Sequence, residues 1–280
     1  MSNINNDFLT IIRRILQDYA YSCNVEPFDG KVIITNEMSK TYQETRGDLV
    51  ESGKSNLYDI QQYHGLTIQP SDVNGKFTIL LNEDFILESK SKQNVDWVGT
   101  LVHEAVHVND FKNYYKIVSP NSYDELYDYN LHRMFLYWTE FHARAIGHYF
   151  LRKYTLVDFR DLKYVNYILE TELPYHMNYM VNEVSKTDNG DRQMYVIVHF
   201  LGRLATWRHL YPQIFDNNFI NELTNSNPWM GELFYLFIKY PTLEKIHTHF
   251  DDMKTIIGKY VSFSWKSFWR SKVYQKLNIL

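Results

Sequence analysis

The fold is decided by residues 96–111, which read DWVGTLVHEAVHVNDF. Asp96 is a residue type that caps helix N-termini, and apolar residues recur after it at helical spacing. His103 and His107 stand four positions apart, so a helix presents both imidazoles on one face. The stretch therefore predicts a helix whose His-Glu-x-x-His motif can hold one metal ion.

Glu104 adds the chemistry of a general base to this pair of ligands. On a helix with 3.6 residues per turn it is rotated about 100° from His103. Its carboxylate therefore flanks the ion and can take a proton from a metal-activated water. His103, Glu104 and His107 together predict a hydrolytic Zn²⁺ site, and the alternative is a surface helix with two solvated histidines.

The segments before the motif predict a small sheet and an amphipathic helix. Short apolar or β-branched runs bounded by turn residues are typical of strands, and apolar residues three and four positions apart are typical of a helix. The predicted elements are a helix over 7–23, strands over 31–35, 66–68 and 77–81, and a mostly irregular stretch with one short helix over 36–64.

The chain beyond residue 123 shows no strand pattern. Helical patterns cover 124–153, 158–186, 191–210, 228–239 and 242–258, with a break near Pro174. The sequence thus predicts an α+β fold. Residues 1–120 contain the small sheet and the active-site helix, and residues 121–280 form a predominantly α-helical half. We expect the two parts to form one integrated catalytic domain.

The composition excludes several classes of protein. The 280 residues include 29 Lys and Arg against 33 Asp and Glu, and a net charge of −4 does not favour non-specific nucleic-acid binding. The single cysteine, Cys23, excludes an intramolecular disulfide and a Cys-x-x-Cys zinc site. No apolar run reaches 18 residues, and the first 16 residues do not resemble a signal peptide. We therefore expect a cytoplasmic protein with no nucleic-acid or membrane partner.

The motif and the strands before it resemble the zincin metallopeptidases over residues 66–150. In that superfamily an edge strand precedes the HExxH helix and binds the substrate in extended form, by backbone pairing. The resemblance implies a zincin-like fold, with a peptide or protein substrate bound along the strand from Gly75 to Leu81. The metzincin branch is excluded, because Asp110 and Asn113 stand where its motif has Gly and His.

The third metal ligand is implied by a resemblance to the gluzincins, which take a glutamate from a second helix. Glu140 lies 33 residues after His107, in an apolar stretch where an unpaired carboxylate would be costly. The alternative is an exposed ion pair with Arg144, which also stands where several gluzincins have Asp. The run from Glu140 to Ala143 resembles the ImmA/IrrE-type metallopeptidases as well. Other possible ligands are Glu125, His132, His142, Glu170, Glu172, His247 and His249.

Three further residues are candidates to support the site. Asp110 lies on the same helical face as His103 and His107 and is placed to accept a hydrogen bond from a ligand imidazole; alternatively it is a solvated carboxylate. Arg144 and His199 are candidates to stabilise the negative charge of the transition state. Tyr195 and His209 are alternatives for that role.

The sequence therefore supports one leading function and two alternatives. The leading hypothesis is a zinc metallopeptidase that uses Glu104 as general base. The second is a binding or regulatory module that keeps the zincin-like scaffold without turnover, which the retained Glu104 argues against. The third is a nucleic-acid or membrane-surface protein that uses the aromatic, basic residues 263–276. No motif distinguishes an endopeptidase from an exopeptidase or indicates the oligomeric state.

Overall fold

The structure is a computed structural model that describes residues 6–51, 57–129, 131–155 and 162–262. It is mostly helical, with one small three-stranded mixed sheet, so the predicted α+β class is confirmed. The described residues belong to two compact units. The first unit takes its residues from 1–129 and 146–155, and the second from 130–145 and 156–280.

The first unit contains the sheet and the HExxH helix. Its elements are α1 (Asn6–Cys23), β1 (Lys31–Thr35), α2 (Met38–Glu51), α3 (Leu57–Gln61), β2 (Gly65–Ile68), β3 (Thr78–Asn82), α4 (Glu83–Ser91), α5 (Asp96–Val118) and a 3₁₀ turn over Tyr123–Asp128. Helix α6 (His132–Tyr154) begins in the second unit and ends in the first.

The regular elements in the described part of the second unit are all helices. After α6 it contains α7 (Leu162–Tyr167), a π-helical segment (Ile168–Glu172), α8 (Leu173–Ser185), α9 (Gly190–Leu210), α10 (Asn217–Thr224), α11 (Pro228–Lys239), α12 (Leu243–Ile246) and α13 (Phe250–Gly258). Two 3₁₀ turns cover His247–His249 and Lys259–Ser262.

The sheet has the strand order β1-β3-β2, with β1 parallel and β2 antiparallel to β3. Leu80 in the middle of β3 lies opposite Ile33 on one side and Leu66 on the other. The prediction that the run from Gly75 to Leu81 is the edge strand is therefore wrong, because its β-strand is the central one. The apolar run of β3 is typical of a strand that is covered on both faces. Such a run does not show which strands lie beside it.

Strand β2 lies beside the HExxH helix and is an edge strand of the sheet. Among the described residues it pairs only with β3, and it also packs against α5. An edge strand keeps a row of backbone N–H and C=O groups that an extended peptide can pair with. The sheet edge beside the HExxH helix thus belongs to β2, which begins ten residues earlier in the chain than Gly75.

Several predicted elements are confirmed, and the differences have local causes. Helices α1, α9 and α11 and strand β1 lie where the patterns place them, and no described residue after 112 is in a strand. Helices α2, α4 and α10 were not predicted. Helix α4 follows β3 directly, because the Asn82 side chain accepts a hydrogen bond from the Phe85 N–H and caps it. Asp96 lies in the first turn of α5, after Val95 as the capping residue.

The predicted break near Pro174 is confirmed in a particular form. The π-helical segment before it ends at Glu172, and Pro174 lies in the first turn of α8. Proline is tolerated there because the first N–H groups of a helix have no intrahelical acceptor. The aromatic, basic residues 263–280 lie outside the described part of the chain. Within the described part, every helix is too short or too polar to cross a lipid bilayer.

The first unit stabilises the HExxH helix by apolar burial along its length. Helix α1 buries Phe8, Ile12 and Tyr19, and the ring of Phe8 lies 4.8 Å from that of Trp97 on α5. Burying one such side chain contributes about 1.5–3 kcal/mol. The helix that carries the motif is therefore held rigidly in its unit, as a preorganised site requires.

Candidate metal centre

The two histidines of the motif converge on one point. His103 Nε2 and His107 Nε2 lie 3.0 Å apart, and the two ring planes are nearly perpendicular at 89°. Both side chains are buried. Two imidazole ligands of a tetrahedral zinc, each about 2.0–2.1 Å from the ion, would be about 3.3 Å apart. The pair fits this geometry with an adjustment of a few tenths of an ångström.

A contact between two glycines positions His103. A Cβ atom on Gly147 of α6 would lie 2.6 Å from the Gly99 carbonyl oxygen and 3.1 Å from His103 Cβ. Only glycine allows the two helix backbones to approach this closely. The last turns of α6 therefore pack directly against α5, one turn before the first metal-binding candidate.

Strand β2 holds the carboxylate of Glu104. The Thr67 hydroxyl lies 2.9 Å from Glu104 Oε2 and 2.8 Å from the Glu104 carbonyl oxygen, so it donates to this residue. A Cβ atom on Gly65 would lie 3.1 Å from Glu104 Oε1 and 2.6 Å from the Thr100 methyl carbon. Gly65 therefore leaves the space that the carboxylate fills beside the edge strand. Glu104 is 6% exposed, so its charge is held in a largely water-excluded position.

In the second unit, Glu140 binds a histidine from α9. His199 Nε2 lies 2.7 Å from Glu140 Oε2, and Arg144 Nη2 lies 3.1 Å from His199 Nδ1. Because a guanidinium can only donate, Nδ1 is the acceptor, and the neutral ring then carries its proton on Nε2. His199 therefore donates to Glu140, and the imidazole is held between a carboxylate and a guanidinium.

Gly202 makes the contact between His199 and Glu140 possible. A Cβ atom on Gly202 of α9 would lie 2.7 Å from the Phe141 carbonyl oxygen and 2.8 Å from Arg144 Cβ. Helices α6 and α9 consequently approach closely at Gly202, one turn after His199. This packing brings His199 against Glu140 although 59 residues separate them in the sequence.

The structure brings two of the predicted site residues together, Glu140 and His199 of the second unit. Glu140 was predicted as a metal ligand, whereas His199 was predicted only as a transition-state donor. No local signal marks His199 as a partner of Glu140, because the two residues meet through helix packing.

The other candidate ligands have different surroundings. His132 is buried, and burial lowers its pKa to about 4. His142 stacks on Trp138 with 4.9 Å between the ring centres. Glu125 accepts hydrogen bonds from the main chain and side chain of Asn121. The remaining candidate ligands lie on other elements: Glu170 and Glu172 in the π-helical segment, and His247 and His249 in a 3₁₀ turn. His209, an alternative transition-state donor, is exposed in the last turn of α9.

Asp110 is buried rather than solvated. It is 4% exposed and lies close to Tyr19 of α1. Burial of the phenol, together with the negative charge of Asp110, raises the pKa of Tyr19. The alternative of a solvated carboxylate is therefore wrong, while the hydrogen bond from Asp110 to a ligand imidazole stays a prediction.

Comparison with protein-family models, with curated proteins and with solved structures found no match to this chain. The resemblance to the zincins therefore rests on the HExxH motif and on the arrangement of the strands and helix around it.

Proposed function

We propose that this protein is a zinc-dependent metallopeptidase in which His103, His107 and Glu140 hold the ion and Glu104 is the general base. The observation that carries the proposal is the convergence of the two imidazole nitrogens at 3.0 Å, with the carboxylate of the intervening Glu104 anchored beside them. A helix with two solvated histidines would not bury both rings and the adjacent carboxylate together.

The donor set fits zinc better than calcium or magnesium. Two imidazoles and one carboxylate are a ligand set of catalytic zinc sites, which keep a fourth position open for water or substrate. Calcium and magnesium prefer oxygen ligands only. Zinc, when bound, supplies the Lewis acidity that lowers the pKa of a water molecule and polarises a carbonyl group.

Helix geometry supports Glu140 as the third ligand. Gly147 of α6 lies against the backbone of His103, and Glu140 precedes Gly147 by seven residues. Seven residues are about two helical turns, so both positions lie on one face of α6.

His199 is best assigned as an orienting residue for Glu140. Its Nε2 donates to Glu140, and its Nδ1 accepts from Arg144. Hydrogen bonds of this kind fix the orientation of a metal-binding side chain and commonly change metal affinity 10- to 100-fold. A carboxylate has two oxygens and about four lone pairs, so the bond to His199 is compatible with metal binding by Glu140.

Glu104 and β2 perform the remaining steps. The Glu104 carboxylate accepts a proton from the attacking water and can pass it to the leaving amine. Thr67 holds that carboxylate in place through its hydroxyl. An extended peptide that pairs with the edge of β2 places its backbone beside Glu104, so substrate binding and proton transfer take place at the same edge.

The test combines metal content with activity. The purified wild-type protein should contain about one zinc per chain and should hydrolyse members of a peptide library. Glu104→Gln should retain the zinc and lower the rate about 10²- to 10⁴-fold, because glutamine keeps the shape but cannot accept the proton. Glu88→Gln, an exposed change on α4, is the control and should leave the zinc content and the rate of hydrolysis unchanged.

Two results would count against this proposal. Failure of the wild-type protein to take up zinc removes the metal site. Wild-type turnover in Glu104→Gln removes the mechanism. Stoichiometric zinc without hydrolysis of any peptide in the library would instead favour the non-catalytic binding module.

A further inference from the structure

The hydrogen bonds of β2 show which of its backbone groups face the free edge. The Asn82 N–H donates to the His64 carbonyl oxygen at 2.9 Å, so these residues form a hydrogen-bonded pair just before the ladder of β2 and β3. In an antiparallel ladder, hydrogen-bonded and non-hydrogen-bonded pairs alternate. The backbone groups of Gly65 and Thr67 therefore point away from β3, towards the position that an added peptide strand occupies.

The two faces of β2 lead to different parts of the first unit. The Thr67 hydroxyl contacts Glu104 of α5, whereas Ile68 belongs to the same core cluster as Met38 and Tyr42 of α2. The side chains of an added strand alternate between the same two faces. A peptide residue opposite Thr67 therefore has its side chain on the Glu104 side. The next residue, opposite Ile68, has its side chain on the α2 side.

A cavity of about 250 Å³ opens at the C-terminal end of β2. Its walls are Thr45 and Arg46 of α2, Ile68 at the end of β2, and residues of the turn between β2 and β3. A cavity of roughly 150 Å³ holds a benzene molecule, and pockets for drug-sized ligands measure about 300–1,000 Å³. The cavity therefore has the size for one long side chain, and it lies on the face to which the residue opposite Ile68 points.

The charges around the cavity favour a cation. The guanidinium of Arg46 is neutralised, because its Nη2 lies 2.8 Å from a carboxylate oxygen of both Asp48 and Asp124. Asp72 and Lys76 line the cavity from the turn, and both are exposed. Three carboxylates thus stand against two cations, so a positively charged side chain enters this region more favourably than a negatively charged one.

Gln69 has a buried side-chain oxygen that a ligand can satisfy. The residue lines the cavity and is 9% exposed, and its Oε1 has no hydrogen-bond partner among the described residues. Its main-chain carbonyl oxygen is held by Arg46 Nη1 at 2.7 Å. A buried acceptor without a donor is unfavourable, and the terminal amide of glutamine rotates easily. A small rotation therefore turns this oxygen towards a donor in the cavity.

We propose that the cavity at the end of β2 binds a lysine or arginine side chain of the substrate, carried by the residue next to the one opposite Thr67. This inference rests on the proposed function and gives the peptidase a preference for basic substrates. The methylene stem packs on Ile68 and Pro70, and the charged group donates to Gln69 Oε1 near the Asp72 carboxylate. Because the cavity and Glu104 both belong to the first unit, selection acts at the strand edge beside the general base.

The first experiment measures binding without turnover. The probes are three blocked pentapeptides in which lysine, norleucine or glutamate stands between alanines, and norleucine has the stem of lysine without its charge. They are titrated by calorimetry into the Glu104→Gln protein in buffer that contains zinc. The lysine peptide should bind about 10-fold more tightly than the norleucine peptide, and the glutamate peptide should bind most weakly. Equal affinities, or no measurable binding of any peptide, would overturn the inference.

Variants of the cavity identify the groups responsible. Gln69→Leu removes the acceptor and should reduce the lysine preference about 10-fold, whereas Gln69→Glu should increase it and guards against a folding defect in Gln69→Leu. Asp72→Asn removes the charge but keeps an oxygen for the Asn74 N–H, and it should reduce the preference in part. Asp84→Asn, an exposed change in the first turn of α4, is the matched control and should keep the full preference. An unchanged preference in Gln69→Leu contradicts the assignment.

The same peptides separate this inference from the proposed function. If the wild-type protein cleaves all three peptides at equal rates, it is a metallopeptidase and the preference for basic substrates falls. If no peptide is cleaved but the lysine preference depends on Gln69, the cavity keeps its assignment and the proposed function falls.

Discussion

The HExxH helix and the α6–α9 pair bring their functional residues together in opposite ways. On α5, His103 and His107 are four residues apart and meet within one turn of helix. In the second unit, Glu140 and His199 are 59 residues apart and meet because Gly202 lets two helices approach. One half of the proposed site is thus encoded by local spacing and the other by packing, which predicts different responses to substitution.

The largest effect is expected at Glu140, the proposed third metal ligand. Glu140→Gln should weaken zinc binding by more than about 100-fold, because a charged ligand is lost. His199→Gln removes only the residue that orients Glu140 and should cost roughly 10- to 100-fold. Competition with a chromophoric chelator measures the zinc affinity of both variants. The control is Glu170→Gln, an exposed change in the π-helical segment, which should keep the wild-type affinity.

If His199→Gln weakens zinc binding more than Glu140→Gln does, the roles of ligand and orienting residue are exchanged. If His199→Gln abolishes zinc binding while Glu140→Gln retains it, the site has three histidine ligands, with the carboxylate as their orienting group. Loss of zinc in His132→Ala or His142→Ala would place the third ligand elsewhere on α6.

A smaller effect tests the packing that brings α6 and α9 together. A methyl group at Gly202 would meet the Phe141 carbonyl oxygen at 2.7 Å. Overpacking costs roughly 1–3 kcal/mol, which exceeds the gain of about 1 kcal/mol that alanine brings to a helix interior. Gly202→Ala should therefore lower the free energy of unfolding by up to about 2 kcal/mol in urea titrations.

A matched control lies on the same helix. Gly190, the first residue of α9, has nothing within 4 Å of a Cβ position, so Gly190→Ala should be neutral or slightly stabilising. Equal stability of Gly202→Ala and Gly190→Ala would show that the close approach of α6 and α9 does not depend on glycine.

The smallest effect concerns His132, a buried histidine outside the proposed metal site. Burial lowers the pKa of His132 from 6.5 to about 4, so the unfolded chain binds this proton more readily in that range. The contribution of neutral His132 to the free energy of unfolding is complete above pH 6.5 and is lost as the pH falls towards 4. Between pH 7.5 and 5.5 the loss should be about 1 kcal/mol.

The measurement compares two proteins at two pH values. Urea unfolding of the wild-type protein and of His132→Phe at pH 7.5 and 5.5 isolates the contribution of this histidine, since other titrating groups change both proteins alike. Phenylalanine keeps an aromatic ring beside Phe135 and does not titrate. A pH dependence that is the same in both proteins would mean that His132 is not neutralised by burial.

Much of the fold could be predicted because its signals are local. The apolar spacing in residues 7–23 and the single run of residues 31–35 each determine one element, and both were confirmed as α1 and β1. Helix α4 was missed because it begins without a loop after β3, where the capping residue Asn82 still belongs to the strand. Strand order could not be predicted, because an apolar run such as Thr78–Asn82 suits either a central or an edge position.

By itself, the sequence determined the α+β class and the geometry of His103, Glu104 and His107, because one helical turn relates residues that are four apart or fewer. Only the tertiary structure decided that β2 offers the edge beside Glu104 and that His199 forms a hydrogen bond with Glu140. Each of these depends on the close approach of separate elements at positions such as Gly65 and Gly202. The physical reason is that packing distances between elements depend on all the side chains at the contact, whereas periodicity depends on the backbone alone.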